Sequence, residues 1–160
     1  MKLTGKVALV AGGGQGIGEG IVLCFAEEGA DVAIADIHPE NAGQAAKKVE
    51  AMGRRALALS VDLTQDGAAQ KTVRDTVDFF GRIDILVNNV GGVSAETLMQ
   101  IGGNRAALGE ETLPEFMYFD SPVWDRYYQL NLKTHVLLSQ SATPYFIKQK
   151  SGKIINISSV

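Results

Sequence analysis

The sequence predicts an α/β domain built on a doubly wound parallel sheet, three layers deep (α/β/α), and three observations point to it. Short, predominantly apolar runs without polar alternation recur at Val7 to Val10, Val32 to Ala35, Ala56 to Val61, Ile83 to Val87 and Ile154 to Ile157. Apolar runs of this length suit strands buried on both faces of a parallel sheet. Segments with helical periodicity lie between them, and Gly29, Gly53 and Gly81 stand where left-handed caps would close those helices. Strand and helix so alternate five times, which argues for right-handed crossovers.

Taken in order, the first strand leads into a helix whose expected inward stripe is Ile17, Ile21, Cys24 and Phe25. That stripe makes Cys24, the single cysteine, a core-packing residue. The helix after the second strand turns Ala42, Ala45, Ala46 and Val49 inward, with Lys47, Lys48 and Glu50 outward. The next stripe is Ala69, Val73, Thr76, Val77 and Phe80, and a long helical stretch runs from Pro122 to Lys150. With 160 residues and 46% hydrophobic content, the chain is expected to form one domain over 1–160. Two features break the rhythm. An insert at about 92–120 holds no sustained pattern and carries Gly102-Gly103 and Pro114, whereas connections beyond about 12 to 15 residues are uncommon in compact domains. The sequence also stops at Val160, just after a strand expected inside the sheet.

A net charge of −3 with no Lys/Arg run argues against nucleic acid or an anionic membrane surface as partner. The opening MKLTGKVALV lacks a signal-peptide apolar region, and no 18-residue apolar run occurs. A soluble, cytoplasmic protein is expected, and one cysteine fits a reducing compartment. No metal ligand is assigned.

The densest chemical signal is AGGGQGIGEG at residues 11 to 20, six glycines in ten positions. In a doubly wound sheet the first strand-to-helix turn faces the ligand crevice, where unpaired N–H groups and the helix dipole favour a phosphate. The common G-x-G-x-x-G fingerprint fits in no frame, and the P-loop pattern fails because Glu19 stands where lysine is required. G-x-x-x-G-x-G does fit, on Gly12, Gly16 and Gly18.

On this motif the chain resembles the short-chain dehydrogenase/reductase family, with Ala11 in place of the customary threonine. Gln15 separates it from the epimerase branch, which has glycine there. Further matches follow in order. Asp36 stands twenty residues beyond Gly16, at the end of VAIADI, where a carboxylate can accept hydrogen bonds from the adenosine ribose. Its charge would repel a 2′-phosphate, and neither Gln15 nor Ile37 supplies a basic residue, so NAD is expected over NADP. Asp62 and Leu63, in SVDLT, fall at the family's adenine position, although an aspartate before Leu-Thr also suits the start of a helix turn. ILVNNVGG matches the family's N-N-A-G with Val90 for alanine, which implies that Asn89 lies beside the cofactor and Asn88 braces the strands. Asn131, in LNLKTH, aligns with the asparagine that shapes the active site; a satisfied mid-helix asparagine is the other reading. In GKIINISSV, Ser159 is in register with the catalytic serine.

The resemblance implies a Rossmann-type fold and hydride transfer between NAD and an alcohol or ketone, with the serine hydrogen-bonding the substrate oxygen. The family's tyrosine must drop by roughly 3 units from about 10, helped by lysine in a Y-x-x-x-K motif. No tyrosine of this sequence has lysine four residues on. The sequence is therefore expected to be a piece of a longer chain, with the Tyr/Lys pair beyond residue 160, and alone to bind NAD poorly and catalyse nothing. The insert is expected to cover the substrate pocket or to pack against a neighbouring subunit. A homo-oligomer is expected by resemblance. The competing reading is a noncatalytic NAD-binding regulatory or scaffold protein.

Overall fold

The structure is a computed structural model that describes residues 1–92 and 121–158. Five parallel strands, β1 (Val7–Ala11), β2 (Asp31–Asp36), β3 (Ala56–Ser60), β4 (Ile85–Asn88) and β5 (Lys153–Asn156), form one sheet in the order β3-β2-β1-β4-β5. Helices α1 (Gly16–Glu27), α2 (Pro39–Ala51) and α3 (Ala68–Phe80) connect the first four strands, and α4 (Ser121–Tyr128), a π-helical turn (Gln129–Lys133) and α5 (Thr134–Gln149) precede the fifth. The expected doubly wound, three-layer architecture is present.

Alternation along β1 sets the layers. Ala8 and Val10 face one core with Val22 and Ala26 of α1 and Ala42, Ala45 and Val49 of α2. Leu9 and Ala11 face the opposite core, with Val73 and Phe80 of α3 and Leu138 and Ala142 of α5. The central strands β1, β2 and β4 are buried along their whole length. The α2 and α3 stripes lie inward as expected, with Val77 only partly covered. Gly29, Gly53 and Gly81 have φ of 95°, 74° and 81°, the left-handed values a helix cap requires.

Two expectations are corrected. The buried face of α1 is Gly18, Val22 and Ala26, at i, i+4 and i+8; of the expected stripe, Ile21 and Phe25 pack partly buried against the same core, whereas Ile17 is 69% exposed and Cys24 is exposed. Gly18 and Ala26 let α1 lie close to the sheet, which leaves Ile17 and Cys24 on the outer side; Cys24 is not a core residue. The outer strands also differ from the centre, with β3 only partly buried and β5 exposed along its length, because each pairs with one neighbour.

Charges collect at the amino ends of the strands. Asp31 accepts hydrogen bonds from Arg54 and Arg55, and Asp84, just before β4, accepts two from Arg82 and one from the backbone N–H of Val7. Burial pushes both carboxyl groups up, but these hydrogen bonds outweigh it and hold them below the ordinary aspartate range. Among the described residues, no helix is long and apolar enough to cross a membrane.

Candidate functional site

The strand order reverses between β1 and β4, which opens a crevice at their carboxyl ends. A cleft of about 850 Å³ lies there. Gly12, Gln15, Gly16 and Ile17 line it from the β1–α1 turn, Asp36 and Ile37 from the end of β2, Asp62 and Leu63 from beyond β3, and Asn89 from beyond β4. Nine of the ten cofactor residues expected from the sequence are thus brought together. The tenth, Gly18, is buried against the same turn.

Close backbone approach explains the glycines. Gly12 has φ +74°, and a Cβ there would lie 3.2 Å from the backbone of Asn89 and Val90. At Gly18 a Cβ would fall 1.9 Å from the Gly12 carbonyl oxygen and 2.7 Å from Asn89 Nδ2. Asn89 closes the unit by donating from Nδ2 to that carbonyl at 2.9 Å. Gln15 occupies the N-cap of α1 without a side-chain cap bond. The first-turn N–H groups of α1 thus have no side-chain acceptor at the cap, as an anion site at a helix start requires.

Asp36 is only 7% exposed, and its two oxygens accept from the N–H groups of Gly14 (2.9 Å) and His38 (3.0 Å). Each oxygen keeps a lone-pair direction for a further donor. Asp62 accepts from the N–H and hydroxyl of Thr64 (2.9 and 2.6 Å) and from the Gln65 amide (3.0 Å). The Thr64 bonds hold its carboxyl below the ordinary range. So Asp62 does order the following turn, the alternative the sequence left open, while still facing the cleft.

A second cleft of about 980 Å³ adjoins the first, sharing Ile17, Asn89, Val90 and Gly91. Asn131 lines it from the middle of the π-helical turn, an irregularity that often marks functional positions. Its Oδ1 accepts from the Gly92 N–H at 2.9 Å, and its Nδ2 donates to the carbonyls of Gly92 (3.3 Å) and Tyr127 (3.2 Å). Asn131 is therefore satisfied by backbone, as the second sequence reading has it, and it also lines the cleft. Asn88 is fully buried and donates to Asn156 Oδ1 (2.7 Å) and Ser139 Oγ (3.2 Å), the bracing expected of it. Ser158 lines this second cleft, whereas Ser159 and the insert beyond Gly92 up to residue 120 lie outside the described residues.

Sequence reasoning missed Arg126, Gln129 and Leu130, which line the first cleft from α4 and the π-helical turn, and His135, which lines the second. The His135 ring nitrogen Nε2 lies 2.7 Å from the Val90 carbonyl. The four-residue spacings from Arg126 to Leu130 and from Asn131 to His135 are a signal that could have marked three of them, since residues one turn apart share a helix face.

Fold and cleft together define a Rossmann-type α/β protein with a glycine-lined backbone cradle at the sheet's switch point. From residue 6 to residue 160 the chain matches the family described as short chain dehydrogenase, and it belongs to that family. It is 34% identical, over its full length, to 58% of a 3-oxoacyl-[acyl-carrier-protein] reductase of Thermotoga maritima. A solved NAD+-bound xylitol dehydrogenase superposes with a TM-score of 0.83 at 30% identity, covering 99% of this chain and 55% of that one. A metagenomic short-chain oxidoreductase in complex with NADP superposes with a TM-score of 0.82 at 29% identity, covering 100% and 65%. The family thus binds nicotinamide cofactors of either kind. The chain spans little more than half the length of the curated relatives it matches.

Proposed function

We propose that the chain is the NAD-binding part of an oxidoreductase that moves a hydride between NAD(H) and an alcohol or ketone. One observation carries this reading: a backbone cradle that only glycine can line, at Gly12 and Gly18, shares a cleft with a carboxylate at the end of β2. Gly12, Gln15, Gly16, Ile17 and Gly18 would take the pyrophosphate, Asp36 and Ile37 the adenosine ribose, Asp62 and Leu63 the adenine, and Asn89 the strand-end contact. The nicotinamide, when bound, supplies or accepts the hydride. This chain's own part is to orient it and to hold the substrate oxygen, for which we assign Ser159 together with Asn131 as the residue that shapes the site; the proton-transferring Tyr/Lys pair is proposed to lie beyond residue 160.

The choice of NAD over NADP rests on Asp36. Its carboxylate is nearly buried at the cleft wall, where it suits a ribose 2′-hydroxyl and opposes a 2′-phosphate. Replacing Asp36 by alanine is expected to reduce the preference for NAD+ over NADP+ by at least about tenfold, measured as the ratio of the two dissociation constants in the intact protein. An unchanged ratio would remove Asp36 from this role.

We further propose a homo-oligomer and a cytoplasmic setting. Trp124 (53% exposed), Tyr128 (56%), Leu132 (53%) and Val136 (45%) recur every four residues, an apolar stripe that suits a subunit interface.

A further inference from the structure

We infer that Gly14 is a specificity-determining position, which sets the choice between NAD and NADP by holding the Asp36 carboxylate in place; the inference rests on the cofactor reading above. The G-x-x-x-G-x-G motif does not use this glycine, and its φ is not in the left-handed region. Backbone strain therefore gives no reason for it. What it does have is close neighbours. A Cβ at position 14 would lie 2.7 Å from Asp36 Oδ2 and 2.8 Å from Asp36 Cγ, with Asn41 Cβ at 2.8 Å. The Gly14 N–H donates to the same Oδ2 at 2.9 Å, while the His38 N–H holds Oδ1 at 3.0 Å.

The carboxylate is thus gripped from two sides by backbone donors, and the space it occupies exists because residue 14 has no side chain. Any substitution that adds a Cβ forces a shift here, and the carboxylate supplies two of the three atoms it meets. Asp36 has little room to absorb the push, since it is 7% exposed and shares the space with Asn41 at the start of α2. A displaced carboxylate loses its aim at the ribose hydroxyls, and its charge moves relative to a 2′-phosphate. Gly14 acts here through Asp36, as a positioning residue, and its effect should appear in selectivity before it appears in overall binding.

The test is equilibrium titration of the intact protein with NAD+ and with NADP+, followed by tryptophan or nucleotide fluorescence. Wild type comes first: if it fails to bind NAD+ or prefers NADP+, the cofactor reading itself falls. If wild type prefers NAD+, Gly14→Ala is expected to weaken NAD+ binding by about tenfold while NADP+ changes by no more than about twofold. In an Asp36→Ala background the same substitution should leave the ratio of the two constants unmoved, because the group it acts through is gone. Equal weakening of both nucleotides, no change in either, or a selectivity loss that persists without Asp36 overturns the inference and leaves the cofactor reading standing. If Gly14→Ala does not fold, it is repeated in an Asn41→Gly background, which clears the other crowding atom. Failure to fold there also overturns the inference, since the glycine would then serve the fold and not the carboxylate.

Discussion

Gly18→Ala is expected to lower stability by about 3 kcal/mol and to weaken dinucleotide binding by at least about a hundredfold. The sign makes this a sharp test. Gly18 lies inside α1, where alanine is the better helix former by about 1 kcal/mol, so helix propensity alone would make the variant more stable. Against that stands a Cβ placed 1.9 Å from the Gly12 carbonyl oxygen. That oxygen is backbone and cannot swing aside, and the same carbonyl receives the Asn89 amide. Relief requires α1 to shift away from the turn, which separates Asn89 from Gly12 and opens the cradle. Thermal unfolding and an NAD+ titration of the same sample check both halves. A variant as stable as wild type, with unaltered affinity, would show that the β1–α1 turn is softer than its geometry implies.

Asp84→Ala should cost about 2 to 4 kcal/mol, which for a domain of this size lowers Tm by roughly 5 to 15 °C. The carboxylate is 4% exposed, whereas Arg82 and Lys6 are 45% and 43% exposed. Those two cations return to water at little penalty, so the ion pairs themselves contribute modestly. The larger loss is the buried Val7 N–H left without an acceptor at the start of β1. The pH dependence follows from the lowered carboxyl pKa. A carboxylate depressed in the folded state stabilises fully above its unfolded value of about 3.9, and that contribution is lost as the pH falls through the lower folded value. The gap between wild type and Asp84→Ala is therefore expected to be constant near neutrality and to shrink below about pH 4. Urea melts at several pH values measure it; a gap that stays wide in acid would mean that packing, not charge, carries the effect.

The parts legible in the sequence are those set by a single local requirement. Strands β1, β2 and β4 are covered on both faces, so the interior of each reads as an apolar run. The turn around Gly12 and Gly18 needs bare backbone, so its spacing survives as a motif. Properties that depend on a distant neighbour were not legible. The exposure of Ile154 and Ile155 on β5 depends on what flanks the strand, and nothing in IINIS records it. On α1, hydrophobicity points to Ile17 and Cys24 as readily as to Ile21 and Phe25, but only the latter two pack against the core, because Gly18, Val22 and Ala26 set which side lies on the sheet. Arg126 and Leu130 join the cleft from a segment far along the chain, and the π-helical turn carrying Asn131 repeats too few residues to break the helical pattern. The need for glycine at position 14 is not legible either, because its partner, Asp36, is twenty-two residues away.

The ion pairs at the amino ends of the strands have a consequence for how the protein can change. Asp31 opens β2 and Asp36 closes it, five residues and about 16 Å apart. The groups that reinforce the fold stand at one rim of the sheet, and the groups proposed to meet the ligand stand at the other. Substitutions at that separation act additively, without shared partners. Damage done while the ligand rim is altered, to accept a new nucleotide for example, can be offset by repairs at the far rim that leave the new specificity intact. The sheet thus behaves as two independently adjustable margins, one a reserve of robustness and the other open to innovation.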